Sequence, residues 1–269
     1  MFYISKKNLL IFIFTLISIS AIFVYIINGK SISANTTPSG YVAIVIDDLG
    51  DYADDGLEEL MKLDIPITTA VMPFLENTKN HTDKATKAGF EVIIYLSMES
   101  ENGYIGWLGP RPIKHNSTEE QIKSIMYDAI QEVDGAKGIN NHMGSRVMKD
   151  KTIIEEILSI SKETNLYFLD SRTVESSVAE EVSRELGVVY FYRDVFLDNS
   201  KDLRSIEEAL NKLTNIALKK GYAIGIGHIG GHGGKSTINT INKMSKSIEE
   251  KGIKFIYLSE LLDISNNHK

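Results

Sequence analysis

The sequence predicts an α/β fold in which about seven or eight parallel strands form a single barrel-like domain. Short runs rich in Val and Ile alternate with helical patterns from residue 41 onwards, which is typical of parallel strands joined by helices. The first run, Tyr41–Ile46, has no polar interruption, as expected for a strand covered on both faces. Composition does not shift between the two halves of this region, which favours one barrel over two domains. An open, doubly wound sheet is the alternative.

Eight strands and seven helices are predicted in alternation. The strands are Val42–Ile46, Ile67–Met72, Phe90–Leu96, Gly138–Asn140, Leu166–Leu169, Val188–Tyr192, Ala223–Ile226 and Ile253–Leu258. The helices are Asp54–Leu63, Thr78–Ala88, one that starts at Ser117, Lys151–Glu163, Val178–Leu186, Leu203–Lys220 and Thr237–Glu250. Ser117 and Glu120 have the spacing of a capping box, which predicts the start of the third helix.

The longest irregular stretch is Ser97–Asn116, which contains Trp107. Loops of this length in compact domains are usually functional or disordered, so this one is a candidate wall of a binding cleft. Trp107 has two interpretations, a stacking surface for a sugar ring or an anchor that packs the loop onto its own domain, and the second is the commoner role of a lone tryptophan.

Residues 1–28 predict a membrane anchor. Leu9–Ile27 contains nineteen uncharged, mostly apolar residues, which reaches the roughly 17–25 needed to span a bilayer. Lys6 and Lys7 precede it and predict that this end stays in the cytoplasm while the rest is exported. Residues 29–40 then form a linker and residues 41–264 the barrel domain. The alternative is a secreted protein cleaved near Ser31–Ser33.

Composition excludes several classes of function. The 29 basic and 36 acidic residues give a formal charge of −7, and no basic block occurs outside the N-terminus, so a nucleic-acid partner is not expected. The chain has no cysteine, which excludes disulfides, thiolate metal sites and cysteine nucleophiles.

Polar residues of the types used in catalysis follow the predicted strands one after another. They are Asp47, Asp48, Glu99, His142, Asp170, Arg172, Arg193, Asp194 and His228. The carboxyl ends of barrel strands converge on one face, so we expect these side chains to meet there. Asp, Glu and His are the ligand types of a catalytic divalent-metal site.

Each residue alone has a simpler interpretation. A single Asp at a strand end is often a helix cap, and a single His there is often a polar residue of a turn. Arg172 and Arg193 ordinarily form structural ion pairs with Asp170 and Asp194. Three further histidines are predicted to be solvated: His81, His115 and His268.

The segment Gly225–Gly230 matches the G-x-G-x-x-G pattern of dinucleotide-binding folds. Only one helix and one strand follow it, whereas that pattern normally opens a longer fold. The extra glycines in Gly231–Lys235 also delay the helix that would hold a pyrophosphate. No dinucleotide cofactor is therefore expected.

Five segments in this order resemble the divergent polysaccharide deacetylase family, a branch of the polysaccharide deacetylase superfamily. They are Ile44–Gly50, Asn140–Arg146, Phe168–Thr173, Arg193–Asn199 and Gly225–His228, and the resemblance covers roughly Tyr41–Leu262. It implies a distorted (β/α) barrel and a hydrolase that removes acetyl groups from N-acetylated polysaccharides with the help of a divalent metal ion, zinc above all.

The resemblance also implies roles for individual residues. Asp47 resembles the general base, Asp48 and His142 resemble metal ligands, and His228 resembles the histidine that protonates the leaving amine. The family usually has His-x-Pro-Met-Glu-Pro after the third strand, where this chain has Tyr95-Leu-Ser-Met-Glu-Ser100. Tyrosine is a poor zinc ligand compared with imidazole, so the metal would depend on Asp48, His142 and Glu99.

Two hypotheses follow for the function. The first is a membrane-anchored, extracytoplasmic deacetylase that acts on a polysaccharide. The second, motivated by Tyr95, is a catalytically inactive glycan-binding or scaffold domain of the cell envelope. In both, five residues either contact the substrate or brace the site: Asp170, Arg172, Arg193, Asp194 and Trp107.

Overall fold

The computed structural model describes Thr15 and residues 37–51, 55–103, 105–231 and 233–267, without the side chains of residues 105 and 265–267. The chain divides into two compact units, Met1–Thr37 and Pro38–Lys269. Apart from Thr15, the predicted anchor and residues 29–36 of the predicted linker lie outside the described residues. In the described part of the chain, no helix is long and apolar enough to cross a membrane.

Nine strands form one sheet, and every pairing in it is parallel. They are β1 (Gly40–Leu49), β2 (Thr68–Val71), β3 (Glu91–Met98), β4 (Gly138–Met143), β5 (Tyr167–Asp170), β6 (Tyr190–Tyr192), β7 (Val195–Phe196), β8 (Tyr222–His228) and β9 (Ile253–Ile256). Their order is β6-β5-β4-β3-β2-β1-β8-β7, and β9 also pairs with β1. This confirms the predicted α/β barrel of parallel strands.

The central strand, β1, is longer than the predicted Val42–Ile46. It pairs with β2, β8 and β9, and the ladder with β8 continues to the pair Asp47↔His228. The register with β2 shifts between Ile46 and Leu49, and Asp48 has a φ of 62° at this irregularity. Side chains of adjacent strand residues ordinarily point to opposite faces, and such a bulge re-aims a side chain at the end of a strand, so the carboxylates of Asp47 and Asp48 lie close together.

Eight α-helices occur among the described residues. They are α1 (Leu57–Leu60), α2 (Thr78–Lys87), α3 (Glu119–Glu132), α4 (Lys151–Glu163), α5 (Ala179–Leu186), α6 (Leu203–Lys220), α7 (Gly234–Glu250) and α8 (Leu261–Asn267). Three 3₁₀ turns, Ile105–Leu108, Val147–Lys149 and Leu258–Glu260, connect them to strands.

The predicted capping box at Ser117 is wrong by one residue. Thr118 Oγ1 accepts the Gln121 N–H, and Gln121 Oε1 accepts the Thr118 N–H. Ser117 instead closes the preceding turn, where its hydroxyl accepts the Lys114 N–H. Both pairs have the required spacing, and only the turn geometry distinguishes them.

Apolar side chains pack on both faces of the sheet. Along β1, Ala43 and Val45 belong to the cluster inside the barrel, whereas Val42, Ile44 and Ile46 belong to the larger cluster between sheet and helices. Each fully buried Val or Ile stabilises the fold by about 1.5–3 kcal/mol relative to an exposed one. Burial on both faces is why the sequence of β1 is apolar without alternation.

The barrel is open between β6 and β7, which follow each other in the chain but share no ladder in the described sheet. The chain crosses this opening, here called the seam, over Arg193 and Asp194. The Arg193 N–H donates to Asp170 O at 3.0 Å, and the Asp194 N–H donates to Ile224 O at 2.9 Å. These two residues therefore extend the ladders on either side. The two-residue strand β7 was not predicted because so short a run has no periodicity.

Candidate functional site

Three side chains with metal-ligating atoms meet at the carboxyl ends of β1 and β8. Asp47, Asp48 and His228 each offer one ligand atom, and these atoms all lie within 4.8 Å of one another. The β1–β8 register places Asp47 beside His228, and the bulge at Asp48 supplies the second carboxylate. The structure therefore brings Asp47, Asp48 and His228 together at one end of the barrel, as the sequence predicted.

Asp47 is completely buried, and neither of its carboxylate oxygens has a hydrogen-bond partner among the described residues. Burial raises the pKa of Asp47 to about 8, although the charge of His228, whose Nε2 lies 3.5 Å from Asp47 Oδ1, opposes this. A buried carboxylate without a hydrogen-bond partner is costly. Asp48 Oδ1 and His142 Nδ1, which lie 4.0 Å apart, are the oxygen and nitrogen donors that suit a divalent cation such as zinc, and Asp47 lies beside Asp48.

Asp198 fixes the position of His228. Its Oδ1 lies 2.6 Å from His228 Nδ1, and its Oδ2 accepts the His228 N–H and the Thr237 hydroxyl, both at 2.8 Å. Burial alone would lower the pKa of His228, but the charges of Asp47 and Asp198 outweigh it and raise the pKa to about 10. Bonding at Nδ1 directs Nε2 towards Asp47. Sequence reasoning gave Asp198 no role, because the strand that delivers it, β7, was not predicted.

His142 lies beside this group. Its Nδ1 is 4.0 Å from Asp48 Oδ1, and its Nε2 is 2.9 Å from Trp107 O. Because a carbonyl oxygen only accepts, Nε2 carries a proton and Nδ1 is the atom that faces Asp48. The strand β4 runs to Met143, so His142 is held within a ladder rather than in the expected turn.

Tyr95, the residue that departs from the family pattern, is buried inside the barrel. Its ring meets the His142 ring edge-on, with centroids 4.8 Å apart. Burial raises the pKa of the Tyr95 hydroxyl well above 10, and the neighbouring charges of Asp47 and Asp48 add to this. The side chain is therefore a neutral phenol next to the carboxylates.

Glu99, predicted as a metal ligand, lies outside the group of Asp47, Asp48 and His228. Its Oε2 accepts the His115 N–H at 2.8 Å and lies 2.7 Å from His115 Nδ1, while its Oε1 accepts from Arg146 at 3.0 Å. Burial opposes the effect of these contacts, but together they hold the pKa of Glu99 at about 2. Glu99 directs its carboxylate into its own loop, and His115, predicted to be solvated, is part of the same cluster.

Asp170 and Asp194 do not form the predicted ion pairs with Arg172 and Arg193. Asp170 is buried and accepts the Arg172 N–H at 2.6 Å, with Ser177 and Tyr190 donating their hydroxyls to its other oxygen. Asp194 accepts the Ile224 N–H and forms an ion pair with Lys220 at 3.2 Å. Both carboxylates accept backbone N–H groups, because each lies at the end of a strand, where the N–H groups have no partner in a neighbouring strand.

A cleft of about 390 Å³ opens beside Asp48, with Trp107, Met72, Leu75 and Ile229 in its wall. The Trp107 side chain is 65% exposed, so its interpretation as a packing anchor is wrong. A larger groove of about 680 Å³ beside α3 shares no lining residue with this cleft.

His81, predicted to be solvated, is buried on α2, and its Nδ1 accepts the Gly50 N–H at 2.8 Å. This contact braces the chain directly after β1. The sequence carried a signal for it, since the buried residues Thr78, His81, Thr82 and Ala85 have helical spacing.

The glycines of the G-x-G-x-x-G segment serve helix packing. A Cβ on Gly225 would lie 2.7 Å from the Leu213 side chain, and one on Gly227 would lie 2.9 Å from the Thr237 side chain. The absence of a side chain at Gly225 and Gly227 lets α6 and α7 approach β8 closely.

Comparison with known proteins places these features in a family. The model of the divergent polysaccharide deacetylases matches residues 44–262. The uncharacterized protein YibQ of Escherichia coli strain K12 is 32% identical over 195 residues, covering 71% of this chain and 59% of that protein. An uncharacterized protein of Haemophilus influenzae is 31% identical over 193 residues, covering 70% and 66% respectively. This chain thus spans about three-fifths to two-thirds of the length of these relatives.

A crystal structure of an uncharacterized protein from Agrobacterium tumefaciens has the same fold, with a TM-score of 0.76 at 22% identity, covering 85% of this chain and 91% of that one. The family match extends from within β1 to α8 and includes Asp47, Asp48, His142, Asp198 and His228. This chain belongs to the divergent polysaccharide deacetylase family.

Proposed function

We propose that the barrel domain removes acetyl groups from an N-acetylated polysaccharide in a reaction that requires a divalent metal ion. The observation that carries this proposal is the buried Asp47, whose two oxygens lack hydrogen-bond donors among the described residues and lie beside Asp48 and His228. The uncharged stretch Leu9–Ile27 supports the further proposal that the domain works outside the cytoplasmic membrane, anchored to it.

Asp48 would hold the ion, since it belongs to the group of ligating atoms and His142 Nδ1 faces it. When bound, the ion supplies Lewis acidity that polarises the amide carbonyl and lowers the pKa of water. Asp47 accepts the proton of the attacking water, because a carboxylate whose pKa is raised to about 8 is a base suited to neutral pH.

His228 supplies the second proton transfer. Its Nε2 donates a proton to the departing amine nitrogen, and its raised pKa keeps it protonated until that step. Asp198 at Nδ1 prevents the ring from turning away. The exposed indole of Trp107 at the cleft beside Asp48 offers a flat apolar surface for a sugar ring.

The second candidate is a glycan-binding domain without catalysis. The observation that favours it is the buried Tyr95, a neutral phenol beside Asp47 and His142, because phenols are poor zinc ligands. This candidate predicts that the domain binds N-acetylated glycans and releases no acetate.

The test compares the full chain with its Asp48→Asn variant for zinc binding and for acetate release from N-acetylated oligosaccharides. Asparagine tolerates the φ of 62° at this position, so the variant removes charge without adding backbone strain. We expect zinc affinity to fall about 100-fold or more and acetate release to be lost.

Asp83→Asn, an exposed residue of α2, is the matched control and should change neither quantity. Undiminished acetate release by Asp48→Asn rejects the proposed metal role. Glycan binding by the wild type without any acetate release establishes the second candidate instead.

A further inference from the structure

Two arginines at the seam have no ion pair although the protein is acidic. Arg172 follows β5 and Arg193 follows β6, and among the described residues no carboxylate lies within the 4.0 Å of a salt bridge from either one. Arg111, Arg146 and Arg204 each contact a carboxylate, whereas the exposed Arg184 of α5 has no salt bridge to a described residue either. What distinguishes Arg172 and Arg193 is that two guanidinium groups without a salt bridge lie together.

Both guanidinium groups lie over aromatic rings. Arg172 Cζ is 3.6 Å from the centroid of the Tyr192 ring, and Arg193 Cζ is 3.5 Å from that of Phe196. Stacking fixes the plane of a guanidinium group and leaves its N–H edge open to acceptors that lie in this plane. This arrangement suits bidentate binding of a carboxylate or phosphate.

The two arginines have different structural duties. Arg193 Nε donates to Ser171 O at 2.8 Å and its Nη2 donates to Arg172 O at 3.2 Å, so part of Arg193 braces the loop after β5. The Arg172 guanidinium donates no hydrogen bond to any described residue, and its side chain is exposed. The N–H groups of the Arg172 guanidinium are thus available to bind an acceptor.

Buried polar groups hold Arg172 in place. Its φ of 48° lies in the left-handed region, which is strained for a residue with a side chain. The bond from the Arg172 N–H to the buried Asp170 stabilises this conformation. The preceding Ser171 is fixed in turn by bonds to Asn140 and Asn141. A strained residue that is fixed by its surroundings in this way is typical of ligand sites.

The arginine pair lies next to the candidate centre. The Phe196 ring, on which Arg193 stacks, is 5.5 Å from the His228 ring and tilted by 30° from it. Burial lowers the pKa of Arg193; the charge of Asp170 opposes this, and the like charge of Arg172 adds to it. The two guanidinium groups are thus close enough to repel each other, and an anion that binds to both would reduce this repulsion.

We propose that Arg172 and Arg193 bind an anionic group, a carboxylate or a phosphate, that the glycan substrate carries near its acetylated sugar. The identification of the ligand as a glycan rests on the proposed function, whereas the anion preference rests on the two arginines alone. The subsite makes this family member selective for acidic N-acetylated glycans over neutral ones.

The test measures binding by titration calorimetry, which needs no turnover. Three matched N-acetylated oligosaccharides serve as ligands for the full chain: one with a carboxylate, the same one with that carboxylate reduced to an alcohol, and one with a phosphate ester at that alcohol. We expect the wild type to bind at least one anionic form about tenfold more tightly than the alcohol. Added salt should weaken this preference.

Arg172→Gln should remove most of the preference, and Arg172→Lys should keep only part of it, because lysine has the charge without the planar fork. Arg184→Gln on α5 is the matched control, since Arg184 is also exposed and its loss changes the net charge equally. Thermal melting of Arg172→Gln checks that the variant is folded, which we expect because its side chain contacts only a ring.

Equal binding of the three ligands by the wild type overturns the proposal, as does an equal loss of preference in Arg184→Gln. The stronger of the two anionic ligands identifies the group as carboxylate or phosphate. A preference without acetate release refutes the proposed deacetylation and leaves the subsite standing, whereas acetate release without a preference refutes only the subsite.

Discussion

Asp47 and Asp48 are adjacent in sequence but differ in burial and in their place in the β1 ladder. Asp47 is 0% exposed and continues the ladder with β8, whereas the Asp48 side chain is 21% exposed and follows a register shift. Burial makes Asp47 a weak acid, while access to the cleft leaves Asp48 available as a ligand. The irregularity in β1 thus separates the environments of the two acids, which agrees with the different roles of base and ligand proposed for them.

The role of Asp198 in holding His228 is testable by Asp198→Asn. Removing this charge should lower the pKa of His228 from about 10, because Asp198 is one of the three carboxylates, with Asp47 and Asp48, that raise it above its ordinary value. His228 should then lose its proton at a lower pH. NMR titration of the metal-free protein measures this shift.

Asp198→Asn should also cost about 1–3 kcal/mol of unfolding free energy, since the bonds to the His228 N–H and Thr237 are weakened. Asp128→Asn, which removes an exposed partner of Arg111, is the control and should leave His228 unchanged. A His228 pKa that does not move in Asp198→Asn would show that Asp47 and Asp48, and not Asp198, raise it.

At the scale of single residues, the sequence predicts which side chains end strands but not where they point. Asp47, Asp48 and His228 could be grouped because strand ends in a barrel converge. Glu99 could not be excluded from that group, because its direction depends on the loop bonds to His115 and Arg146. Asp198 went without a role because its position depends on tertiary pairing with β8.

Among the elements, the loop from Glu99 to Asn116 is attached by a small cluster of charges. Ile113 and Met98 form an isolated parallel bridge, and Glu99 joins His115 to Arg146 across the loop. The loop carries Trp107, whose carbonyl contacts His142. The attachment of the loop therefore bears on the geometry of the candidate centre.

Glu99→Gln should weaken this attachment in a pH-dependent way. The pKa of Glu99 in the folded protein is about 2, below its ordinary value of 4.5, so its contribution to stability is present above about pH 4.5 and is lost as the pH falls towards 2. We expect the variant to be about 1 kcal/mol less stable at neutral pH, with the difference shrinking in that acidic window.

Denaturant unfolding at several pH values measures the effect, and Trp107, the only tryptophan, reports the loop by fluorescence. Glu119→Gln breaks an exposed ion pair with Lys123 within α3 and is the control, with an expected change below about 0.5 kcal/mol. A difference that stays constant from neutral pH to pH 2 would contradict the ionic attachment of the loop.

Helices and strands differ in how far the sequence predicts them. The amphipathic helices α4 and α6 have the predicted bounds, Lys151–Glu163 and Leu203–Lys220, because their apolar faces repeat over three or more turns. Asp54–Leu63 shortens to Leu57–Leu60, a segment of too few turns for that signal. Strand ends such as Leu49 and Met143 depend on partners distant in sequence.

For the whole molecule, alternation of strands and helices predicts a parallel α/β barrel, but it does not predict where the barrel opens. The barrel opens where β6 and β7 do not pair with each other. At this place Arg193 hydrogen-bonds to Asp170 of β5, and Asp194 hydrogen-bonds to Ile224 of β8. In the center of the sheet, β1 pairs with three strands. The free energy of local opening should accordingly fall from β1 towards the seam.

Asp194→Ala tests this gradient by hydrogen exchange with mass spectrometry. The Asp194 side chain is only 9% exposed and accepts from the Ile224 N–H and from Lys220, so its loss leaves a ladder donor unpaired at a cost of about 1–3 kcal/mol. We expect faster exchange in peptides that cover β6, β7 and the start of β8, and unchanged exchange in β2, β3 and β4. Asp128→Ala, at an exposed ion pair of α3, should leave all these peptides unchanged. If exchange in Asp194→Ala accelerates evenly around the barrel, the seam opens only together with the rest of the sheet. The segments that carry Arg172 and Arg193 would then be as stable against local opening as β1.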